Sequence, residues 1–449
     1  VLSQPLAPWA TSEAKQRLAE LTDTHRELSA DRVASAVATA TASQMHRFGA
    51  DGLSLYAGSN VLSPKVIAAH ETRLATRPAL GWPGEKIQPG LEGIEALEVI
   101  AAQQLRRAFG AAFAEPRFVT ATLANLAAYT ALAEPGDTLA VLSPAAGSHA
   151  SHHSSGTAGV RGLRTVPLPY DAVAGDVDVS QLDDFMAAVR PRVILVGGSV
   201  IQFPTNIAPL REAADRWDAK LVFDASHVAG LIAAGVFPNP LAEGVDLMTF
   251  STYKTLAGPA GGGAVSNHAE IAERVTDALY PVLSSNYDPA RLGPLAVATA
   301  EAVEQQPAWA QRTVELAVAI AERFAARGLR VQGADRGYTM SHQVVVDVSE
   351  FGGGVSAMRA LEAAGVFVGA CRLAADDSAA PPAGMRLGTQ EIVRLGASYE
   401  HAEPIVELIC RILRGGAAAL TSSEVENSHE RTAEIRRSFG SDLWGRPPE

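Results

Sequence analysis

The chain has 449 residues, 47% of them hydrophobic and 19% charged, which is the composition of an ordinary folded protein long enough for two domains. Its formal net charge of −12 argues against general nucleic-acid binding, which needs a basic face, but allows a local anion pocket built from backbone amides. Cys371 and Cys410 are too few and too far apart for a disulfide framework or a zinc site, and they suit a reducing cytoplasm. No apolar run is long enough to span a membrane, and the opening "VLSQPLAPWATSEAKQ" lacks the charged and apolar regions of a secretory signal.

Residues 1–50 read as an Ala-rich amphipathic helical arm that packs on something other than the main body. The stretch 53–90, dense in Gly and Pro, reads as loop with one helix between. From 91 to about 265, helical and apolar segments alternate. "GIEALEVIAAQQLRRAFGA" is helical, "PRFVTA" is β-like, and "TLANLAAYTALAEPGD" is a helix stopped by Pro135-Gly136. "TLAVLSP", "RVILVGGS", "KLVFDAS" and "DLMTFST" read as strands, with helices at "VDVSQLDDFMAAV" and "PLREAADRWDA". Apolar strands without polar alternation predict an α/β fold whose mostly parallel sheet is flanked by helices on both faces. After a long helical stretch beyond residue 300 comes a smaller α+β unit containing "SHQVVVDVSEF", "SAMRALEAAGV" and "MRLGTQEI". The last thirty residues are polar and read as a solvated helix and tail. The expected division is an arm over 1–50, a large domain over 51–300 and a small domain over 301–449.

Ligands of such sheets bind beyond the carboxyl ends of the strands, where Ser199, Asp224, His227 and Lys254 all fall. Taken alone, Lys254 in "STYKTLAGP" is an ordinary strand-end lysine. Beside a Gly-rich turn it can be desolvated, and its amine freed to attack a carbonyl. The preceding "MTFSTY" is not a phosphate-binding Walker loop. Asp224 is either a helix cap or the carboxylate that keeps a pyridine nitrogen protonated, as a pyridoxal phosphate enzyme requires. Thr120, Ala121 and Thr122 precede a helix and offer amides and hydroxyls to a phosphate. His149 is placed to cover one face of a cofactor ring. The cluster "SHASHHSS" also allows a rival reading, a zinc hydrolase using His149, His152 and His153, although H-E-x-x-H is absent. Arg386 has the planar guanidinium suited to a substrate carboxylate, and is otherwise a solvent-facing arginine.

Together, "EPGDTLAVLSP", "REAADRWDAKLVFDASHVAGLIAAGVFPNP", "TYKTLAGPAGG" and "MRLGTQEI" resemble serine hydroxymethyltransferase, a fold-type I pyridoxal phosphate enzyme, over roughly residues 50–410. The resemblance implies that Lys254 carries the cofactor, Asp224 faces its ring nitrogen and His149 stacks on the ring. It places Ser199 and His227 near the phenolic oxygen, and Thr120, Ala121 and Thr122 near the phosphate. Ser251 matches a family hydroxyl just ahead of the lysine, and Arg386 matches the carboxylate anchor. The family forms dimers or dimers of dimers whose sites are completed by the neighbouring subunit, so a homodimer or homotetramer is expected.

The departures fall on the substrate side. Where the family reads roughly "NKYAEGYPGKRYYGG", this chain reads "TRPALGWPGEKIQPG", with Pro78 for a tyrosine, Leu80 for a glutamate, and Ile87 and Gln88 for a tyrosine pair. The family glutamate is associated with proton transfer in folate-linked chemistry, so Leu80 argues against tetrahydrofolate as a second cofactor. Gly58 replaces a serine near the substrate, with Ser59 next to it. Tyr253 replaces a histidine and Ala260 an arginine, and "VLSSNYDPARL" replaces a shorter Gly-rich loop. The expected activity is aldol-type cleavage or formation of the Cα–Cβ bond of an amino acid, with an aldehyde released or added. Hydroxymethyltransferases and aldolases of the α-methylserine type and threonine transaldolases are relatives of this sort. Transamination, decarboxylation or retro-Claisen chemistry from the same cofactor is the alternative.

Overall fold

A computed structural model of the chain describes residues 7–25, 28–49, 51–305, 307–374, 380–415, 422–443 and 445. Its centre is a seven-stranded sheet. The strands are β1 (Phe113–Glu115), β2 (Thr138–Val141), β3 (Arg164–Pro167), β4 (Val193–Gly197), β5 (Lys220–Asp224), β6 (Leu247–Ser251) and β7 (Gly262–Ser266), in the order β1-β7-β6-β5-β4-β2-β3. The five strands from β3 to β6 are parallel, and β7 runs antiparallel to both of its neighbours. Successive residues of β4 and β5 face two separate apolar cores. Ile194, Val196, Leu221 and Phe223 enter one, and Val193, Leu195 and Val222 the other. Burial on both faces is what the unbroken apolar runs encode.

Helices cover both faces. The main ones up to residue 326 are α1 (Ser12–Thr24), α2 (Ala30–Gly49), α3 (Glu92–Phe109), α4 (Ala121–Leu132), α5 (Leu292–Glu304) and α6 (Pro307–Ala326). Thr120 caps α4, its hydroxyl oxygen accepting from Leu123 N at 3.1 Å. Gly110, at φ 60°, ends α3 in the left-handed conformation that favours glycine. "PRFVTA" is not a strand. The edge strand lies just before it, at Phe113–Glu115, and Pro116, having no N–H to donate, falls outside the ladder.

The second unit is an antiparallel sheet of β8 (Gln343–Asp347), β9 (Gly369–Cys371) and β10 (Gly384–Gly388), ordered β8-β10-β9. The C-terminal segment departs from the solvated helix expected of it. In α7 (Ser422–Arg437) and just beyond, Ser428, Thr432, Ile435, Arg436 and Phe439 are buried, and the Thr432 hydroxyl donates to Ala364 O at 2.7 Å. One helical face is enough for that packing, and polar side chains on the other faces hide it in the composition. At the opposite end of the chain, α1 and α2 bury no residue, and Val33, Val37 and Met45 share one exposed face of α2.

The 78–88 segment is held down by a buried ion pair. Lys86 Nζ donates to both Glu98 carboxylate oxygens, at 2.6 and 2.7 Å, and also to Ala79 O and Gly81 O. Tyr287, from the 281–293 segment, donates its hydroxyl to the same carboxylate. Removing one member of a buried pair strands the other charge. Lys86→Met is therefore expected to destabilise the protein by about 3 kcal/mol, read as a lower thermal midpoint, while an exposed pair such as Arg17–Glu20 contributes little.

Candidate active site

The register of the parallel strands sets Gly197, Asp224 and Thr249 side by side at the carboxyl end of the sheet. Beyond them lies a cavity of about 260 Å³. Its walls include Thr120, Ala121 and Thr122 at the start of α4, His149, Asp224, Ser251 and Lys254.

Asp224 is 2% exposed and fully satisfied. Its Oδ2 accepts from His152 Nε2 and Asn125 Nδ2, both at 2.9 Å, and its Oδ1 accepts from Ser226 N at 2.9 Å. The Asn125 amide is oriented by Thr249, whose hydroxyl donates to Asn125 Oδ1 at 2.6 Å. Burial alone pushes the Asp224 carboxyl up, but His152, Ser226 and Asn125 together outweigh it and hold the group well below the usual carboxylate range. The result is a buried carboxylate that stays charged, which fits a protonated pyridine nitrogen.

Lys254 follows β6 and is 9% exposed. Burial, assisted by the charge of Arg386 and partly opposed by Asp224, lowers its pKa to about 8. Asn60 anchors the loop by donating to Lys254 O at 2.8 Å. A desolvated amine, an ionised carboxylate and a helix N-terminus thus face one cavity, as pyridoxal phosphate needs for its aldehyde, ring nitrogen and phosphate.

His149 lines the cavity with its Nδ1 taken up by Ser151, at 2.8 Å from Oγ and 3.1 Å from N, and burial lowers its pKa. His227 is buried beside it in the site's electrostatics. Desolvation first, then the charges of Lys254 and Arg386, depress its pKa far below the ordinary imidazole value. Gln343 fixes its proton. Ile201 N donates to Gln343 Oε1 at 2.7 Å, so Nε2 is the donor end, giving hydrogen bonds to Ser199 O and His227 Nδ1, each at 2.9 Å. His227 Nδ1 is thereby an acceptor, and the network assigns the ring hydrogen to Nε2.

Ser199 meets the site through its carbonyl, which accepts from Gln343 and, at 2.5 Å, from Arg386 Nη1. Arg386, on β10, is buried rather than solvent-facing, and its Nε has no hydrogen-bond partner among the described residues. Gly58 and Ser59 do not line the cavity. The Ser59 hydroxyl donates instead to buried Glu391, at 2.6 Å from Oε2, and a Cβ at Gly58 would come within 2.9 Å of the Tyr56 ring. Leu80 lines a separate cavity of about 170 Å³ with Trp82, Arg117, Tyr280 and Tyr287, and shares no wall with the Lys254 cavity.

The three histidines of the proposed zinc cluster diverge. His149 turns to Ser151, His152 to Asp224, and His153 Nε2 to Ser148 Oγ at 2.5 Å. Among the described residues, no three His, Cys, Asp or Glu side chains are grouped to hold a metal. Sequence reasoning missed Asn125, His152 in its role toward Asp224, Asn60 and Gln343. "SHQVVVDV" reads as a plain strand, and nothing local marks its Gln343 as reaching His227.

This is a site of the fold-type I pyridoxal phosphate enzymes. The serine hydroxymethyltransferase family profile matches residues 31–409. An α-methylserine aldolase from Variovorax paradoxus is 37% identical over 429 residues, covering 96% of this chain and 97% of that protein. One from a Ralstonia species is 40% identical over 365 residues, covering 81% and 83%. Serine hydroxymethyltransferase from Methanopyrus kandleri is 38% identical over 394 residues, covering 87% and 92%. The chain belongs to the serine hydroxymethyltransferase family and is a pyridoxal phosphate enzyme.

Because the neutral amine is the nucleophile, capture of pyridoxal phosphate by the apoprotein is expected to quicken as pH rises through about 8 and to level off above it, in stopped-flow absorbance. Lys254→Ala is expected to show no visible band from lysine-bound cofactor. A pH-independent capture rate would contradict this assignment.

Proposed function

We propose that the protein catalyses reversible aldol cleavage of a β-hydroxy amino acid bearing an α-alkyl group, with α-methylserine going to alanine and formaldehyde without folate. The observation that carries the reaction class is the convergence of Lys254, Asp224 and the α4 N-terminus on one cavity. The substrate reading is supported by the relatives named α-methylserine aldolase, at 37–40% identity along most of the chain.

When bound, pyridoxal phosphate draws electron density from the substrate α-carbon. Lys254 would hold the cofactor at its aldehyde carbon. Asp224, kept ionised by His152 and Asn125, holds the proton on the pyridine nitrogen. The α4 amides take the phosphate, and His149 covers one ring face. His227 presents Nε2–H to the phenolic oxygen. Arg386, its Nε free of protein partners, takes the substrate carboxylate.

We also propose a homodimer, with the 78–88 segment acting in the partner's site, since Leu80 lies outside the Lys254 cavity of its own chain. The unpartnered face of α2 at Val33, Val37 and Met45 supports a second copy. A reducing cytoplasm suits Cys371 and Cys410, which are buried and form no disulfide among the described residues, and no described helix is long and apolar enough to cross a membrane.

The deciding experiment assays aldehyde release from α-methylserine, serine, threonine and alanine, with and without tetrahydrofolate. Folate-independent formaldehyde from α-methylserine, faster than from serine, is the expected result. Strict dependence on folate would overturn the reading of Leu80.

A further inference from the structure

Behind the Ala260–Gly261 wall of the Lys254 cavity lies a buried guanidinium whose two terminal nitrogens find no acceptor among the described residues. Arg291 ends the short helical turn Pro289–Arg291 and is 7% exposed. Its Nε donates to Ala260 O at 2.7 Å, while Nη1 and Nη2 are buried and make no hydrogen bond. The carboxylate it senses is Asp288, whose Oδ1 is already engaged by Ala290 N at 2.9 Å. Desolvation pulls the Arg291 pKa below the ordinary guanidinium value, with Asp288 only partly opposing it. A buried cation without acceptors is strongly unfavourable unless an anion comes near it.

The backbone around it is shaped for that anion. A Cβ on Gly261 would fall 1.5 Å from Arg291 Nη2, so glycine at 261 is what admits the guanidinium. A Cβ on the next residue, Gly262, would fall 2.5 Å from Thr120 O and 2.6 Å from Ala121 N, at the opening of α4. The guanidinium and the helix N-terminus therefore both abut the Gly261–Gly262 pair, behind the stretch of cavity wall that Ala260 and Gly261 form. Ala260, Gly261, Thr120, Ala121 and Thr122 all line the cavity there. Helix N-termini attract anions, and a fixed cation one glycine away adds to that field.

We infer that Arg291 is the counter-charge for the cofactor phosphate, acting through the Ala260–Gly261 loop. It returns from another loop the guanidinium that this chain lacks at position 260. Resting on the pyridoxal phosphate reading, the inference concerns the phosphate alone, and this makes it separable. The aldehyde and ring nitrogen are held by Lys254 and Asp224, neither of which bonds Arg291.

The test compares two ligands on the apoprotein, pyridoxal phosphate and pyridoxal, which lacks the phosphate. Dissociation constants are read from the visible band in wild type, Arg291→Gln and Arg291→Lys. The Gln variant is expected to weaken pyridoxal phosphate about tenfold and to leave pyridoxal within about twofold. The Lys variant, which keeps the charge, is expected to recover most of the phosphate-dependent affinity. Equal weakening of both ligands, or no loss for pyridoxal phosphate, overturns the inference while leaving the cofactor reading intact. Absence of any band in wild type overturns both. Should the Gln variant fail to fold, Arg291→Met decides in the same two titrations. A loss confined to pyridoxal phosphate supports the inference, and equal loss for both ligands or none for either refutes it.

Discussion

The structure turns on keeping one carboxylate charged where water cannot reach it. An isolated Asp224 at the end of β5 would take up a proton, because burial disfavours the ionised form. Three donors prevent this, and each belongs to a different element. His152 comes from the loop after β2, Asn125 from the second turn of α4, and Ser226 N from the turn after Asp224 itself. Asn125 is in turn set by Thr249 on the neighbouring strand. The sheet register, the α4 docking and the histidine loop are thus fixed by a single requirement, and the N-terminal end of α4 is held in place by the same contact.

Around that anion the site is built from opposed charges and neutral imidazoles. Lys254 and Arg386 are both cationic and both buried, and their charges add to the burial that keeps His227 uncharged. His342 stacks on His227 with ring centroids 5.7 Å apart, and burial lowers its pKa to about 3. Two neutral rings beside two cations avoid a third positive charge. Gln343 then chooses which nitrogen of His227 bears hydrogen, so protonation and tautomer are set by different neighbours.

Much of this is legible in the sequence because it rests on strand ends. "KLVFDAS" and "DLMTFST" announce buried parallel strands by their unbroken apolar runs, and Asp224 and Lys254 stand out as ionisable residues closing them. The less legible features depend on pairing between distant segments. Asn125 lies 99 residues from Asp224 and Gln343 lies 116 from His227, and no local pattern registers such contacts. Ser59 is a further long-range case. Its position beside Gly58 suggests the substrate, yet buried Glu391, 332 residues away, takes its hydroxyl. The polar C-terminal helix was obscured for a related reason, since a narrow apolar face suffices once neighbouring elements are in place.

The two segments that depart most from the family, 78–88 and 281–293, meet at one carboxylate. Glu98 receives Lys86 from the first and Tyr287 from the second, and Ala79 N donates to Asn286 Oδ1 at 3.4 Å. Both segments therefore rest on one anchor, and a change that unseats either of them from Glu98 also loosens the other.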